Sequence, residues 1–255
     1  VASELKLTAV AGLPSINSGD DIAALILDAL AKAELNLLDG DVLVIAQKIV
    51  SKAEGQSVQL DTITPSERAR QVAQATRKDP RLVELILRES DDISRMAPGL
   101  LIVRHRLGFT SANAGIDRSN VGQDDSQETV LLLPRDPDAS ARQIRQKIEE
   151  KCGIVTAVII SDSHGRPFRL GTVGVAIGVS GLPALWDRRG ESDLLGYTLQ
   201  HTDVGVGDEI AAAAGLLMGQ GAEGLPVVLV RGLSLPPMDG CAADLIRPKE
   251  NDLYR

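Results

Sequence analysis

The sequence predicts a mixed α/β protein, because apolar segments with strand-like patterns alternate with segments of helical periodicity along the chain. The run Val42–Ala46 is continuously apolar, as in a strand buried on both faces. Apolar residues recur at helical spacing over 22–34 and 208–218. With 255 residues, 44% of them hydrophobic, the chain can bury a large core in one domain or in two closely joined lobes.

The other elements follow from the same patterns and from turn residues. We expect further helices near 65–76, 81–88 and 139–151, and Asp20 or Asp21 as the cap of the first helix. Further strands are expected near 5–10, Leu100–His105, 129–133, 154–162 and 227–231, with a glycine-rich β segment over 171–181. The charged stretch 88–95 suggests a cluster at the end of a helix.

Composition excludes several classes of function. Aromatic residues make up only 2% of the chain and its net charge is -8, so neither stacking platforms nor a basic surface is available for nucleic acid. No apolar run approaches the ~20 residues of a spanning helix, and the N-terminus lacks a signal-peptide pattern. We therefore expect no membrane partner and a cytoplasmic location. Cys152 and Cys241 form no metal-binding or disulfide pattern.

Familiar catalytic signatures are missing or out of context. The sequence contains no P-loop, kinase or GxSxG motif, and no histidine has a convincing nucleophile partner. The GQGAEG segment, residues 219–224, has GxGxxG spacing. It ends a predicted helix and enters a strand, which is the reverse of a Rossmann fingerprint. Any nucleotide must be held in another way.

The polar segment 108–120 is the first candidate for a functional site. It lies in a connection of about two dozen residues between predicted strands, which is too long for a turn that only joins two strands. Asn113, Asp117 and Asn120 offer the oxygen ligands that Mg²⁺ or Mn²⁺ prefers. The same residue types are ordinary turn formers, so a solvated surface loop is an equally open interpretation.

Other polar residues follow predicted strands, where open α/β sheets commonly bind ligands. Asp162 and Ser163 end one strand, and Lys48 and Lys52 lie beyond another, where they could neutralise phosphate or simply be solvated. Gln220 and Glu223 could bring further oxygen donors from the turn after the last helix. Arg166 and Arg169 could contact a phosphorylated substrate or form exposed salt bridges.

Taken together, these segments resemble the coenzyme F420-0:L-glutamate ligase family, also called F420-0:γ-glutamyl ligase. The resemblance spans almost the entire chain and depends on the order of its motifs, which are GLPSI, VIAQKIVSKAEG, GFTSANAGIDRSNV, LLPRDPDASARQIR, IISDSHGRPFRLGTVGVAIG and GLLMGQGAEGLPVVLVRG. It implies the family's own α/β fold, an intertwined homodimer, and a single ligase domain over 1–255 without the C-terminal nitroreductase-like domain of longer relatives.

The resemblance also implies a reaction. GTP would phosphorylate the terminal carboxylate of the deazaflavin cofactor F420-0, and the amine of L-glutamate would attack the acyl phosphate, releasing GDP and phosphate. Further glutamates would be added through γ-linkages. Two divalent cations, Mg²⁺ or Mn²⁺, and K⁺ would assist.

Site residues are carried over only at matching positions. The implied metal ligands are Asp117, Asp162, Ser163 and Gln220, with Glu223 as a neighbour, and Asp117 and Asp162 are the implied catalytic carboxylates. The implied nucleotide contacts are Leu13, Pro14, Ser15, Ile16, Gln47, Lys48, Lys52 and Asn120, with backbone atoms expected to act at Gln47 and Lys48. Two alternatives remain, a ligase of this fold acting on another carboxylate and a GTP-binding module without turnover. The sequence does not distinguish GTP from ATP.

Overall fold

A five-stranded mixed sheet forms the centre of the protein, whose computed structural model describes residues 4–118 and 128–252. The strand order is β1-β12-β2-β8-β9, and only the β2-β8 pair is parallel. These strands are β1 (Lys6–Ala9), β2 (Val42–Ala46), β8 (Ala157–Arg166), β9 (Arg169–Ser180) and β12 (Val227–Arg231). The mixed α/β class is therefore confirmed, whereas the two-lobe and dimer arrangements stay predictions.

Helices cover both faces of this sheet, because the central strands are apolar on both sides. On β2, Leu43 and Ile45 pack with α1 (Ile22–Lys32), α2 (Gln47–Ala53) and α5 (Pro137–Cys152), whereas Val42 and Val44 pack with α6 (Val206–Met218). The contact with α6 is close, since a Cβ at Gly174 on β9 would lie 2.4 Å from the carbonyl oxygen of Ala211. This contact holds α6 close against β9.

A second group of elements has its own apolar cluster, which includes Leu82, Ile86, Leu101 and Val103. Its three-stranded antiparallel sheet has the order β4-β5-β6 and packs with two helices. Its members are α3 (Glu67–Thr76), α4 (Pro80–Arg88), β4 (Ser90–Ala97), β5 (Leu100–His105) and β6 (Thr110–Ala112), and beside them β3 (Ser57–Gln59) pairs with β7 (Thr129–Leu131). A short hairpin joins β10 (Trp186–Asp187) to β11 (Asp203–Val204).

Most helix starts carry the signals that the sequence suggests. Asp21 caps α1 by accepting the Ala24 N–H, and Ser66, Asp79 and Asp136 cap α3, α4 and α5 in the same way. Pro80 and Pro137 occupy the first turns of α4 and α5, where no N–H donor is required. Within the described residues, no helix is long and apolar enough to cross a membrane.

Two polar segments lie in regular elements. The charged stretch 88–95 begins at the end of a helix, as predicted, since α4 stops at Arg88, and from Ser90 it continues as β4, a largely exposed strand. The polar residues after β2 lie in a helix, because α2 starts directly at Gln47. Ile49 and Val50 bury this helix in the core, which outweighs its polar first turn.

Candidate functional site

Four chain segments leave the five-stranded sheet at one edge, and sheet topology explains why they meet. Parallel strands β2 and β8 are paired up to Ala46 and Ser161, so β2 ends at this edge and β8 extends past it to Arg166. Strand β12 runs antiparallel to β2 and begins here, with Val227 opposite Ile45. Strand β1 runs antiparallel to β12 and therefore ends here too.

These segments enclose a cleft of about 500 Å³. Its wall includes most of the residues implied by the family resemblance, which are Leu13, Pro14, Ser15, Ile16, Gln47, Lys48, Lys52, Asp162, Ser163 and Gln220. The cleft also contains the end of α6 and the turn that follows it. A cleft at the carboxyl ends of strands is the usual ligand site of an open α/β sheet.

Asp117 reaches the rim of this cleft from the second group of elements, where its neighbour Ile116 is buried. Its carboxylate accepts a hydrogen bond from Gln47 Nε2 at 2.8 Å and lies 3.6 Å from Lys48 Nζ. Two backbone hydrogen bonds of 2.9 Å join Asp117 to Leu131. Burial raises the pKa of the Asp117 carboxyl, the charge of Asp162 raises it further, and Lys48 opposes both effects.

The described part of the polar loop is folded and packed. Ala114 and Ile116 are buried in the second apolar cluster, and Phe109 packs against the central one. Asn113, Ala114 and Gly115 all have positive φ angles, of 53°, 54° and 66°. This left-handed turn costs energy at the two non-glycine residues and redirects the chain just before Asp117. The solvated-loop interpretation is thus wrong for residues 108–118, while Asn120 lies outside the described residues.

Asp162 and Ser163 lie within β8, because this strand continues to Arg166 and does not end at Asp162 as predicted. Each has a side-chain partner. His164 Nε2 lies 3.0 Å from Asp162 Oδ2, and Gln220 Nε2 donates to Ser163 Oγ at 2.8 Å. Glu223, like Asp117, is not among the residues that line the cleft. Its carboxylate is held within its own turn, where its own backbone N–H and that of Gly221, at 2.8 Å, lower its pKa.

Two lysines add positive charge to the cleft, Lys48 beside Asp117 and Lys52 in the same wall. Burial lowers the pKa of the Lys52 ammonium, and repulsion by Lys48 lowers it further. The ammonium groups can compensate an anion, and the carboxylates can compensate a cation.

The donor set of this cleft fits a hard divalent cation. Asp117, Asp162, Ser163 and Gln220 offer only oxygen donors apart from the glutamine amide nitrogen, and Mg²⁺ usually takes one or two protein carboxylates. The repulsion between Asp117 and Asp162 is what a cation would relieve. Within residues 4–118 and 128–252, no group of three His, Cys, Asp or Glu side chains suits a metal, so substrate or water oxygens would complete the coordination.

Sequence reasoning missed two supporting residues. Ser51 is fully buried and donates to Gln47 Oε1 at 2.9 Å, which orients the amide that binds Asp117. His164 was dismissed for want of a nucleophile partner. Its position two residues after Asp162, on the same face of a strand, could have linked the two.

An α/β protein whose central sheet carries a cleft lined by oxygen donors and two lysines belongs to the class of ligand-binding α/β enzymes. The comparisons narrow this class. The family model described as F420-0:Gamma-glutamyl ligase matches residues 12–232. The chain belongs to this family of ligases.

Curated relatives agree with this family. The chain is 51% identical to coenzyme F420:L-glutamate ligase of Methanothermobacter thermautotrophicus over 98% of its own length and 99% of the relative's. It is 48% identical to the protein of the same name from Methanopyrus kandleri, covering 94% and 93%. Identity is 46% to that of Methanocaldococcus jannaschii, covering 88% of both chains.

Proposed function

We propose that this protein is a GTP-dependent ligase that joins L-glutamate to F420-0 and then adds further glutamates through γ-linkages. The observation that carries the proposal is that a near full-length relative at 51% identity is named coenzyme F420:L-glutamate ligase. The cleft adds support, since it pairs two carboxylates with two lysines at the ends of the central strands.

In the proposed reaction, a carboxylate oxygen of F420-0 attacks the γ-phosphorus of GTP and GDP leaves. The amine of glutamate then attacks the acyl carbon, an amide bond forms, and phosphate departs with the loss of a proton from the amine. Lys48 and Lys52 bind and orient the phosphates, together with residues 13–16. Asp117, Asp162, Ser163 and Gln220 would hold the two divalent cations, which would supply charge neutralisation for the phosphoryl group.

The test is a reaction of the purified protein with GTP, Mn²⁺ or Mg²⁺, L-glutamate and F420-0. We expect a mass increase of one glutamyl residue, then of further ones, with one GDP and one phosphate per bond. Parallel reactions with ATP, and with K⁺ replaced by Na⁺, test the nucleotide preference and the role of potassium. An unchanged F420-0 mass under all these conditions would contradict the proposal.

Two alternatives have distinct outcomes in the same assay. A ligase for another carboxylate would leave F420-0 unchanged but give a glutamyl product with one member of a panel of carboxylic acids. A GTP-binding module without turnover would retain GTP yet release no phosphate that depends on both other substrates.

The predicted homodimer is part of the proposal. Leu194 and Leu195, between β10 and β11, are almost fully exposed, as are Phe168 and Leu170 at the β8-β9 turn. Exposed apolar groups of this size are typical of surfaces that another chain covers. The mass measured by light scattering checks this, and a monomer at micromolar concentration would refute it.

A further inference from the structure

His164 has no place in the ligand set described above, yet it contacts that set directly. It follows Asp162 by two residues on β8, so both side chains project from the same face of the strand. Its Nε2 atom lies 3.0 Å from Asp162 Oδ2, and the histidine is only 9% exposed. The imidazole thus lies against the Oδ2 atom of the Asp162 carboxylate.

Packed rings hold the imidazole in place. The Phe109 ring lies 4.9 Å from that of His164 and is tilted by 51°, and its other contact is a stack on His105 at 5.1 Å. His105 is itself fixed, because the Leu107 N–H donates to its Nδ1 at 3.0 Å. The column His105, Phe109 and His164 therefore links the start of the polar loop to β8.

We propose that His164 is a positioning residue for Asp162, donating from Nε2 to Oδ2 so that Oδ1 is the oxygen offered to a divalent cation. A carboxylate with one oxygen fixed by a buried donor loses less rotational freedom when it binds a cation, and such outer partners typically change metal affinity by about 10- to 100-fold. This inference rests on the proposed metal site.

The competing role is purely structural. His164 also lines a second cavity of about 280 Å³ behind β8, together with Phe109, Asp138 and Asp208. In that role, the imidazole would fill space between these groups, and any replacement of similar volume would serve equally well.

The test measures Mn²⁺ binding by calorimetry and by the electron paramagnetic resonance signal of free Mn²⁺, without turnover. We compare His164→Leu, His164→Asn and His164→Gln with wild type and with His201→Leu, a control at an exposed histidine. The Gln side chain places an N–H donor near the position of imidazole Nε2, whereas the shorter Asn side chain does not. We expect about 10- to 100-fold weaker binding for Leu and Asn, and near wild-type binding for Gln and the control.

Asp162→Asn distinguishes failure of this inference from failure of the metal site. If wild type binds Mn²⁺ and Asp162→Asn weakens the binding strongly but measurably, the site stands, and unchanged binding in folded His164→Asn then overturns the positioning role. If Asp162→Asn binds like wild type, the proposed site itself is wrong.

A double-mutant cycle separates the two roles further. A histidine that acts through Asp162 has no additional effect on Mn²⁺ binding in the Asp162→Asn background. Full additivity would support the structural role instead. Should His164→Leu fail to fold, the comparison of Asn with Gln still decides the question.

Discussion

The two carboxylates of the cleft are held in different ways. Asp162 is part of the β8-β9 ladder, opposite Val175, and its side chain meets one imidazole. Asp117 lies outside the five-stranded sheet and is held by an isolated bridge to Leu131 and by Gln47 and Lys48. One carboxylate is positioned by the central sheet and the other by contacts between distant segments. Asp117 therefore depends on its neighbours for charge compensation as well as for position.

The largest expected effect comes from replacing either carboxylate. Asp117→Asn and Asp162→Asn each remove a charged cation ligand while keeping the side-chain shape, and we expect at least about 100-fold loss of glutamyl transfer, corresponding to about 3 kcal/mol in the transition state. Steady-state rates across a Mn²⁺ titration measure this. Near-normal turnover in a folded variant would remove that residue from the site.

Thermal stability should also respond to Asp117→Asn. A carboxyl whose pKa is raised by folding favours the protonated form, so ionising it costs stability as the pH rises above the unfolded pKa, and the full cost is present above the folded pKa. Without metal, Asp117→Asn should therefore melt at or above the wild-type temperature at pH 7, and this gain should disappear below the unfolded pKa. A lower melting temperature for Asp117→Asn at pH 7 would show that its hydrogen bonds outweigh the burial of its charge.

Individual strands could be predicted further than the site could. Val42–Ala46 and Leu100–His105 match their strands because continuous or alternating apolar runs are local signals. Lys48 and Asp162 line one cleft because they follow paired positions of the parallel strands β2 and β8. Asp117 does not, because it reaches the cleft through Gln47, 70 residues away, and through a left-handed turn at Asn113 that local patterns do not indicate. The Phe109 contact with His164 is equally non-local.

An intermediate effect is expected from Lys48→Met, which keeps the apolar stem but removes the ammonium group beside Asp117. Lys48 lowers the pKa of Asp117 against burial and the charge of Asp162, so its loss should raise that pKa. The acid limb of the activity profile should then move to higher pH, with about 10-fold lower activity at pH 7. Lys32→Met, at the exposed end of α1, is the control. An acid limb that stays in place would show that Asp117 does not titrate in that range.

The smallest effect we expect is that of Ser51→Ala, which tests whether Asp117 is held through a chain of hydrogen bonds. Without the Ser51 hydroxyl, the buried Gln47 Oε1 loses its donor, which should cost about 1 kcal/mol of stability. The amide can then rotate away from Asp117, and we expect a several-fold weaker Mn²⁺ affinity. Thr76→Val is the matched control, because its buried hydroxyl donates to Val72 in α3, away from the cleft. Both variants should lose comparable melting temperature. Only Ser51→Ala should change Mn²⁺ binding, and equal affinities in the two variants would mean that the bridge to Leu131 and the ion pair with Lys48 suffice to position Asp117.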